Sequence, residues 1–400
     1  MEVNRVKLFI WYKKIGGNMK TSLKKIIAVL LLALMAVSSV CAKSKKKKAD
    51  KNKTATVSEE NLEGLSQQDI SQTQADATLD QWPLVTDPEK EAFLGYRPEM
   101  PEGEAVGFQE VWAYVMDSRR DEYKEDMPVT DLCVFGATIG QYGEVVSIPN
   151  ADNYKNFNGR KHMVVTCDGR SLSHFVLDPQ YSVRNEILRT LTKASKNFDG
   201  VQIDFENVPA KDAKHFRTFL LDLRGRMGKS KWMTVALPAR IKDFASDIYP
   251  YKEIHPCVDR IIVMAYDEHW STSKPGPIAS MEWCEKVADY AVSVIPNRKL
   301  VMGLPFYGRT WQDNRIHQAW YYTGINRIMN ENNAHVVERD NTVPYFTFKT
   351  ESTVTGYFED TLSLVTRMRM YSGKGVTRVG FWRIGQEDPE FWKWLKIEKK

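Results

Sequence analysis

Beyond about residue 105 the chain alternates between short apolar runs and longer segments in which apolar positions recur three or four residues apart. The short runs, bounded by turn residues, predict strands at 111–116, 132–139, 162–166, 200–205, 232–237, 260–265, 300–304 and 376–382. Segments 182–196, 210–226, 281–294 and 360–372 read as helices. Near-continuous apolar strands are the mark of a parallel sheet covered on both faces. Eight such strands with helical crossovers in roughly 290 residues predict an α/β fold, a (β/α)8 TIM barrel, whose usual size is about 250 residues plus insertions. The largest excess, 311–357, lies between strands seven and eight. Its helix-like 325–331 and strand-like 334–337 and 345–349 predict a small α+β insertion there.

The first eighty residues break this pattern. Residues 20–42 combine a charged start (Lys20, Lys24, Lys25), an apolar run from Ile26 to Val37 and the small-residue end Ser38-Ser39-Val40-Cys41-Ala42. That is the anatomy of a secretory signal, too short for a membrane span. Cleavage after Ala42 is expected, with lipid attachment at Cys41 the alternative; either way the product is exported, secreted or periplasmic, with no stable span left. Ile15-Gly16-Gly17-Asn18-Met19 is compatible with a translated ribosome-binding site ahead of a start at Met19. Residues 43–80 are rich in Lys, Ser, Gln, Thr and Asp with almost no large apolar side chain, and such a composition cannot offset ordering entropy. The expected organisation is an extension and signal over 1–42, a linker over 43–80, and the barrel domain over 81–400. Its aromatic- and Pro-rich lead-in, from Trp82 to Pro101, is expected to pack on the barrel.

Charge follows the same division. The formal net charge is +5, yet residues 1–42 carry +6, residues 43–53 another +6, and the remainder −7. An acidic body argues against nucleic acid as a partner, because neutralising phosphates needs a basic face. Of the five cysteines, Cys41 belongs to the signal, while Cys133, Cys167, Cys257 and Cys284 are scattered without paired metal spacing and read as buried thiols. The seven histidines form no H-E-x-x-H or H-x-H motif, so neither a catalytic metal nor a cofactor is expected.

The most informative segment is Phe198-Asp199-Gly200-Val201-Gln202-Ile203-Asp204-Phe205-Glu206-Asn207, on the fourth strand. Side chains alternate along a strand, so Gln202, Asp204 and Glu206 share one face while Val201, Ile203 and Phe205 share the other. The apolar set suits the helix layer, which turns the polar set into the barrel. At the C-terminal end of a barrel strand such a row lies where active sites are built. Two acids there are costly to bury unless they are used. A salt-bridged or capping pair is the alternative.

This segment resembles the D-G-x-D-x-D-x-E signature of family 18 glycoside hydrolases, the chitinase-like group, of a bacterial exported type. Met264-Ala265-Tyr266-Asp267 is similar to that family's M-x-Y-D, and Gly303-Leu304-Pro305-Phe306-Tyr307-Gly308-Arg309 to its seventh-strand motif. Trp382, within Phe381-Trp382-Arg383-Ile384-Gly385-Gln386-Glu387-Asp388, stands where the family places a sugar-stacking Trp. The resemblance covers about residues 105–395 and rests on four motifs in order. It implies a glycosidase acting on N-acetylglucosamine-containing polysaccharides or oligosaccharides, peptidoglycan or chitin oligomers, by a substrate-assisted retaining route in which the 2-acetamido oxygen is the nucleophile.

By that resemblance Glu206 is the general acid and base, and its pKa must be raised toward neutrality. Asp204 would hold the acetamide N–H and stabilise the oxazolinium, with Tyr266 directing its hydroxyl at the acetamide oxygen. Substrate contacts fall to Asp267, Met264, Trp382, Tyr114, Tyr307 and Arg309, with Gln202 beside them. Asp199, on the other face, reads as structural. Gln202 departs from the family, which usually has an Asp there sharing a proton with its neighbour. The expectation is that Gln202 donates its amide to Asp204 and keeps it ionised, the alternative being that Gln202 only fills a layer of the barrel interior. The third-strand end, Cys167-Asp168-Gly169-Arg170-Ser171, matches the family only loosely. A catalytically silent glycan-binding protein on the same barrel is the second reading, and a protein-contact scaffold the third. A monomer is expected.

Overall fold

The computed structural model describes residues 96, 99–312, 317–334, 336–350 and 352–398. The expected signal and linker, and nearly all of the lead-in, lie outside them. Among the described residues no helix is long and apolar enough to cross a membrane.

Eight parallel strands form the barrel: β1 (Glu110–Met116), β2 (Asp131–Ile139), β3 (Arg160–Thr166), β4 (Gly200–Asp204), β5 (Trp232–Pro238), β6 (Arg260–Met264), β7 (Leu300–Pro305) and β8 (Arg378–Trp382). Each pairs with its neighbours in chain order, and the β1–β2 and β1–β8 pairings close the ring. The helices outside are α1 (Arg170–Leu177), α2 (Val183–Ala194), α3 (Ala213–Met227), α4 (Met281–Val294) and, beyond the insertion's α5 (Tyr322–Glu331), α6 (Thr361–Gly373). The β4 alternation works as its sequence implies. Phe205 turns outward onto Phe216 and Phe219 of α3, while Gln202 and Asp204 face inward.

The helix layer is uneven. Only a 3-10 segment, Asp117–Glu122, joins β1 to β2, and a four-residue helix, Tyr251–Ile254, lies between β5 and β6. The insertion is a five-stranded antiparallel sheet, Gln318–Trp320, Gly308–Gln312, Thr353–Tyr357, Val343–Lys349 and Glu338–Asp340 in spatial order. With α5 it builds its own small core around Trp320, Ile325, Met329, Phe346 and Phe358. Of the strand expected at 334–337, the described residues 334, 336 and 337 are not in a strand: Ala334 is drawn into that core, and the edge strand begins at the charged Glu338. Tyr96, from the lead-in, docks on this lobe by an edge contact with Phe358 and a 2.9 Å hydrogen bond to Asp360.

Ions fill the N-terminal end of the barrel. Glu110 on β1 accepts two hydrogen bonds from Arg260 at 2.6 and 2.9 Å and pairs with Arg378 at 3.2 Å. Asp131 on β2 accepts from Arg160 and contacts His162 at 2.9 Å. Trp232 of β5 lies between the Arg160 and Arg260 guanidiniums, at 4.4 and 4.6 Å. Burial pushes the Glu110 carboxyl up, but the arginines outweigh it and hold it below its ordinary value. This layer is a stopper, and it leaves the opposite end for chemistry.

Candidate active site

At the C-terminal end, a cavity of about 600 Å³ opens beside Glu206 and Asn207. Its far wall is the stretch after β5, with Arg240, Phe244 and Asp247. Its near wall follows β6, with Met264, Tyr266, Asp267, Glu268 and Trp270, and Trp283 of α4 closes one side. The strand ends place these groups because each loop leaves the barrel one strand further round.

Of the residues expected at the site, Glu206, Met264, Tyr266 and Asp267 line the cavity. Asp204 lies just inside, 4% exposed, and one of its oxygens has no hydrogen-bond partner among the described residues. Asp267 has a left-handed backbone (φ 59°) and accepts hydrogen bonds from the Tyr307 hydroxyl at 2.5 Å and from Arg309 at 3.3 Å. Tyr307 and Arg309, both buried, thus aim the Asp267 carboxylate instead of lining the opening. Trp382 is buried against Tyr114 and Phe135, with ring centres 5.3 and 5.0 Å away.

Three expectations for the inner row are corrected. Gln202 has no exposed surface, so it is not a substrate contact. Its carbonyl accepts the Tyr114 hydroxyl at 2.5 Å, and its amide donates to Thr234, its register neighbour on β5, at 3.3 Å, with Cys133 Sγ at 3.8 Å. No bond from Gln202 to Asp204 forms, because the amide is spent sideways within its own layer. Tyr114, 3% exposed, is likewise a member of that layer and not of the wall.

The electrostatics follow. Burial, with Asp168 adding like charge, pushes Asp204 up to about 7, so it is not held ionised. Burial also pushes Glu206 well above the usual carboxylate range, and Asp204, Asp267 and Asp168 add to the effect. A carboxyl at a cavity wall that holds its proton more tightly than in water can serve as a general acid. Tyr266 is raised in the same way, first by burial and then by Asp204, Glu206 and Asp267, so its hydroxyl remains a donor. Asp168, at the end of β3, was not singled out by the sequence, nor were Arg240, Phe244, Glu268, Trp270 and Trp283. The one available signal was that their aromatic and charged side chains follow barrel strands at the C-terminal end.

A barrel with acids gathered at the ends of β4 and β6 has the frame of an enzyme working at its C-terminal face, and the sequence match gives the class: residues 171–387 fit the model of the glycosyl hydrolases family 18, so the chain belongs to that family. Its relatives include YvbX, an uncharacterized glycosylase of Bacillus subtilis (strain 168), 27% identical over 52% of this chain and 63% of that protein. Another is the cortical fragment-lytic enzyme of Bacillus anthracis, 23% identical over 70% of this chain and 66% of that one. Among solved structures, the Bacillus cereus spore cortex-lytic enzyme SleL shares the fold, with a TM-score of 0.65 and 20% identity over 75% of this chain and 77% of that one. The chain spans 48 to 66% of the length of the curated relatives it matches first.

Proposed function

We propose that this protein is a glycosidase that cleaves β-linked N-acetylhexosamine glycans with retention, using the substrate's own acetamide as nucleophile. One observation carries the reading: Glu206 lines the cavity with its carboxyl raised well above the usual range, next to an Asp204 that has a free oxygen. In this mechanism Glu206 protonates the leaving oxygen as the acetamide oxygen attacks the anomeric carbon, and later takes a proton from the incoming water. Asp204 receives the acetamide N–H on its unpartnered oxygen and, once ionised, offsets the positive charge of the oxazolinium. Tyr266 donates to the acetamide oxygen, and Asp267, steadied by Tyr307 and Arg309, holds a sugar hydroxyl.

Relatives described as cortex-lytic and cortical fragment-lytic favour a soluble cell-wall glycan over crystalline chitin as the substrate. Export is part of the proposal, resting on residues 20–42, and the N-terminus of the mature protein tests it. The second reading, a silent glycan binder, rests on Gln202 in place of the family's usual Asp. Digestion of peptidoglycan fragments and chitin oligomers by wild type and Glu206→Gln separates the two. The expected result is a loss of about 10²- to 10⁴-fold in kcat, the usual worth of a proton-transferring group, with ligand binding kept. Turnover by Glu206→Gln equal to wild type removes Glu206 from the mechanism, and anomeric inversion in the first products removes the acetamide route.

A further inference from the structure

The acid at the end of β4 is not held by the strand that leads to it. The ladder of β4 ends at Asp204, and residues 205–209 belong to neither helix nor strand, so no ladder fixes the backbone around Glu206. A side chain from the stretch after β5 does so instead. Tyr249 donates its hydroxyl to the Phe205 carbonyl at 2.6 Å and accepts the Val208 N–H at 3.2 Å. One oxygen thus joins the backbone on both sides of Glu206 and Asn207. Tyr249 is itself fixed. Its ring packs edge-on against Phe216 of α3 with centres 5.6 Å apart, and its N–H donates to Asp247 at 2.9 Å. Asp247 in turn accepts two hydrogen bonds from Arg240, at 2.9 and 3.0 Å, and both of these residues line the cavity.

We infer that Tyr249 is a positioning residue for the reaction, its hydroxyl fixing where the Glu206 carboxyl stands relative to the scissile bond. The inference rests on the reading of Glu206 as the general acid. Proton transfer to a leaving oxygen needs the two heavy atoms within about 2.6–3.2 Å, so an acid on a slack backbone spends less time in reach. Tyr249 is 1% exposed and its single O–H is already donated, so it neither touches substrate nor supplies a proton. Burial holds that hydroxyl above its ordinary value, with the nearby Glu206 adding to the effect, so it remains a donor. Satisfying one buried hydroxyl requires a single partner. Here it takes two, both are backbone groups, and they flank the acid. The same contacts run through Asp247 to Arg240, which sets the cavity wall and the acid's backbone in one frame.

Tyr249→Phe keeps the ring and removes the clamp. The test compares two substrates on one preparation of the full chain: an N-acetylglucosamine oligomer, and the 4-nitrophenyl glycoside of a shorter one, whose leaving group departs without a proton. The ratio of their kcat/KM values cancels any loss of folded protein. Tyr249→Phe is expected to lower kcat/KM for the oligomer about 10- to 100-fold, through kcat and not KM, as misplacing a reacting group does. For the nitrophenyl glycoside the loss stays within about threefold, because bond breaking there does not wait for the acid. Glu206→Gln shows the same bias between the substrates, more strongly. Tyr154→Phe removes another buried hydroxyl, one that donates to Asp117 at 3.1 Å and lies outside the cavity lining, and it lowers the melting temperature without changing the ratio. Equal losses of Tyr249→Phe on both substrates, or none on either, overturn the inference while leaving Glu206 its role. An unbiased Glu206→Gln overturns the reading of Glu206 as the general acid, and the inference falls with it.

Discussion

Asp204 shows how a single residue is set by its surroundings. Its carboxyl rises from 3.8 to about 7 because burial disfavours the charge and Asp168 repels it. A carboxyl whose folded value exceeds its unfolded one holds its proton more tightly when folded. Its contribution to stability is therefore full below the unfolded value and is lost as pH rises from about 4 through about 7. Asp204→Asn, which cannot ionise, should melt above wild type at pH 8 and close to it at pH 4. The gain at pH 8 should reach up to a few kcal/mol, one pKa unit being about 1.4 kcal/mol. Melting curves at both pH values decide it; an equal shift at both would mean that Asp204 carries no buried charge penalty. The same variant should lose about 10²- to 10³-fold in kcat, the usual effect of removing a preorganised electrostatic partner. Stability and activity would then move in opposite directions at one residue, as expected where strain serves a site.

Among the elements, the fit between β6 and β7 positions the site. A Cβ on Gly303 of β7 would lie 2.7 Å from the Val263 carbonyl oxygen and 3.1 Å from a ring carbon of Tyr266. Backbone cannot yield at the first contact, and the second is with the tyrosine at the cavity wall. Gly303→Ala should cost about 1–3 kcal/mol in urea unfolding, as overpacking does. It should also lower kcat more than it raises KM, because displacing a positioned group by a fraction of an ångström slows chemistry first. Unchanged kcat in a destabilised but folded variant would limit Gly303 to packing. The insertion follows different rules: its strand Gly308–Gln312 begins inside the Tyr307-Gly308-Arg309 motif, so one short segment both aims Asp267 and opens the second sheet.

Across the whole molecule, charge is divided between the two ends of the barrel. The N-terminal end pairs its acids with arginines, whereas at the C-terminal end Asp267 and Asp247 have arginine partners but Asp204 and Glu206 have, among the described residues, only like charges for neighbours. Glu110→Gln removes the anion shared by Arg260 and Arg378, leaving buried cations uncompensated, and should cost about 3–5 kcal/mol. Because wild-type Glu110 lies below its unfolded value, its contribution holds above that value and fades as pH falls through the folded one. The variant should thus differ most from wild type at neutral pH, while kcat per folded molecule stays within about twofold, as expected far from the chemistry. Urea midpoints with parallel assays check both halves, and a large fall in kcat with an unchanged midpoint would contradict this division.

The order of strands, the inward face of β4 and the acids at its end are properties of the sequence, because alternation and apolar runs are local and repeat with a fixed period. The short 3-10 link after β1 and the edge strand at Glu338–Asp340 left no such trace, since few apolar side chains mark them, and the α1 helix, Arg170–Leu177, carries an apolar face over only eight residues, too short for its period to stand out. Other features arise only from closing the ring. The Gln202 amide turns to Thr234 and not to Asp204 because the β4–β5 register sets Thr234 beside it. Asp168 acts on Asp204 and Glu206, and His174 meets Asp212, across spans of chain that no periodicity connects. Residue type and spacing are enough to say which groups face inward. Which of them touch, and therefore which carry a proton at neutral pH, depends on burial and on neighbours from other strands, and these exist only in the folded barrel.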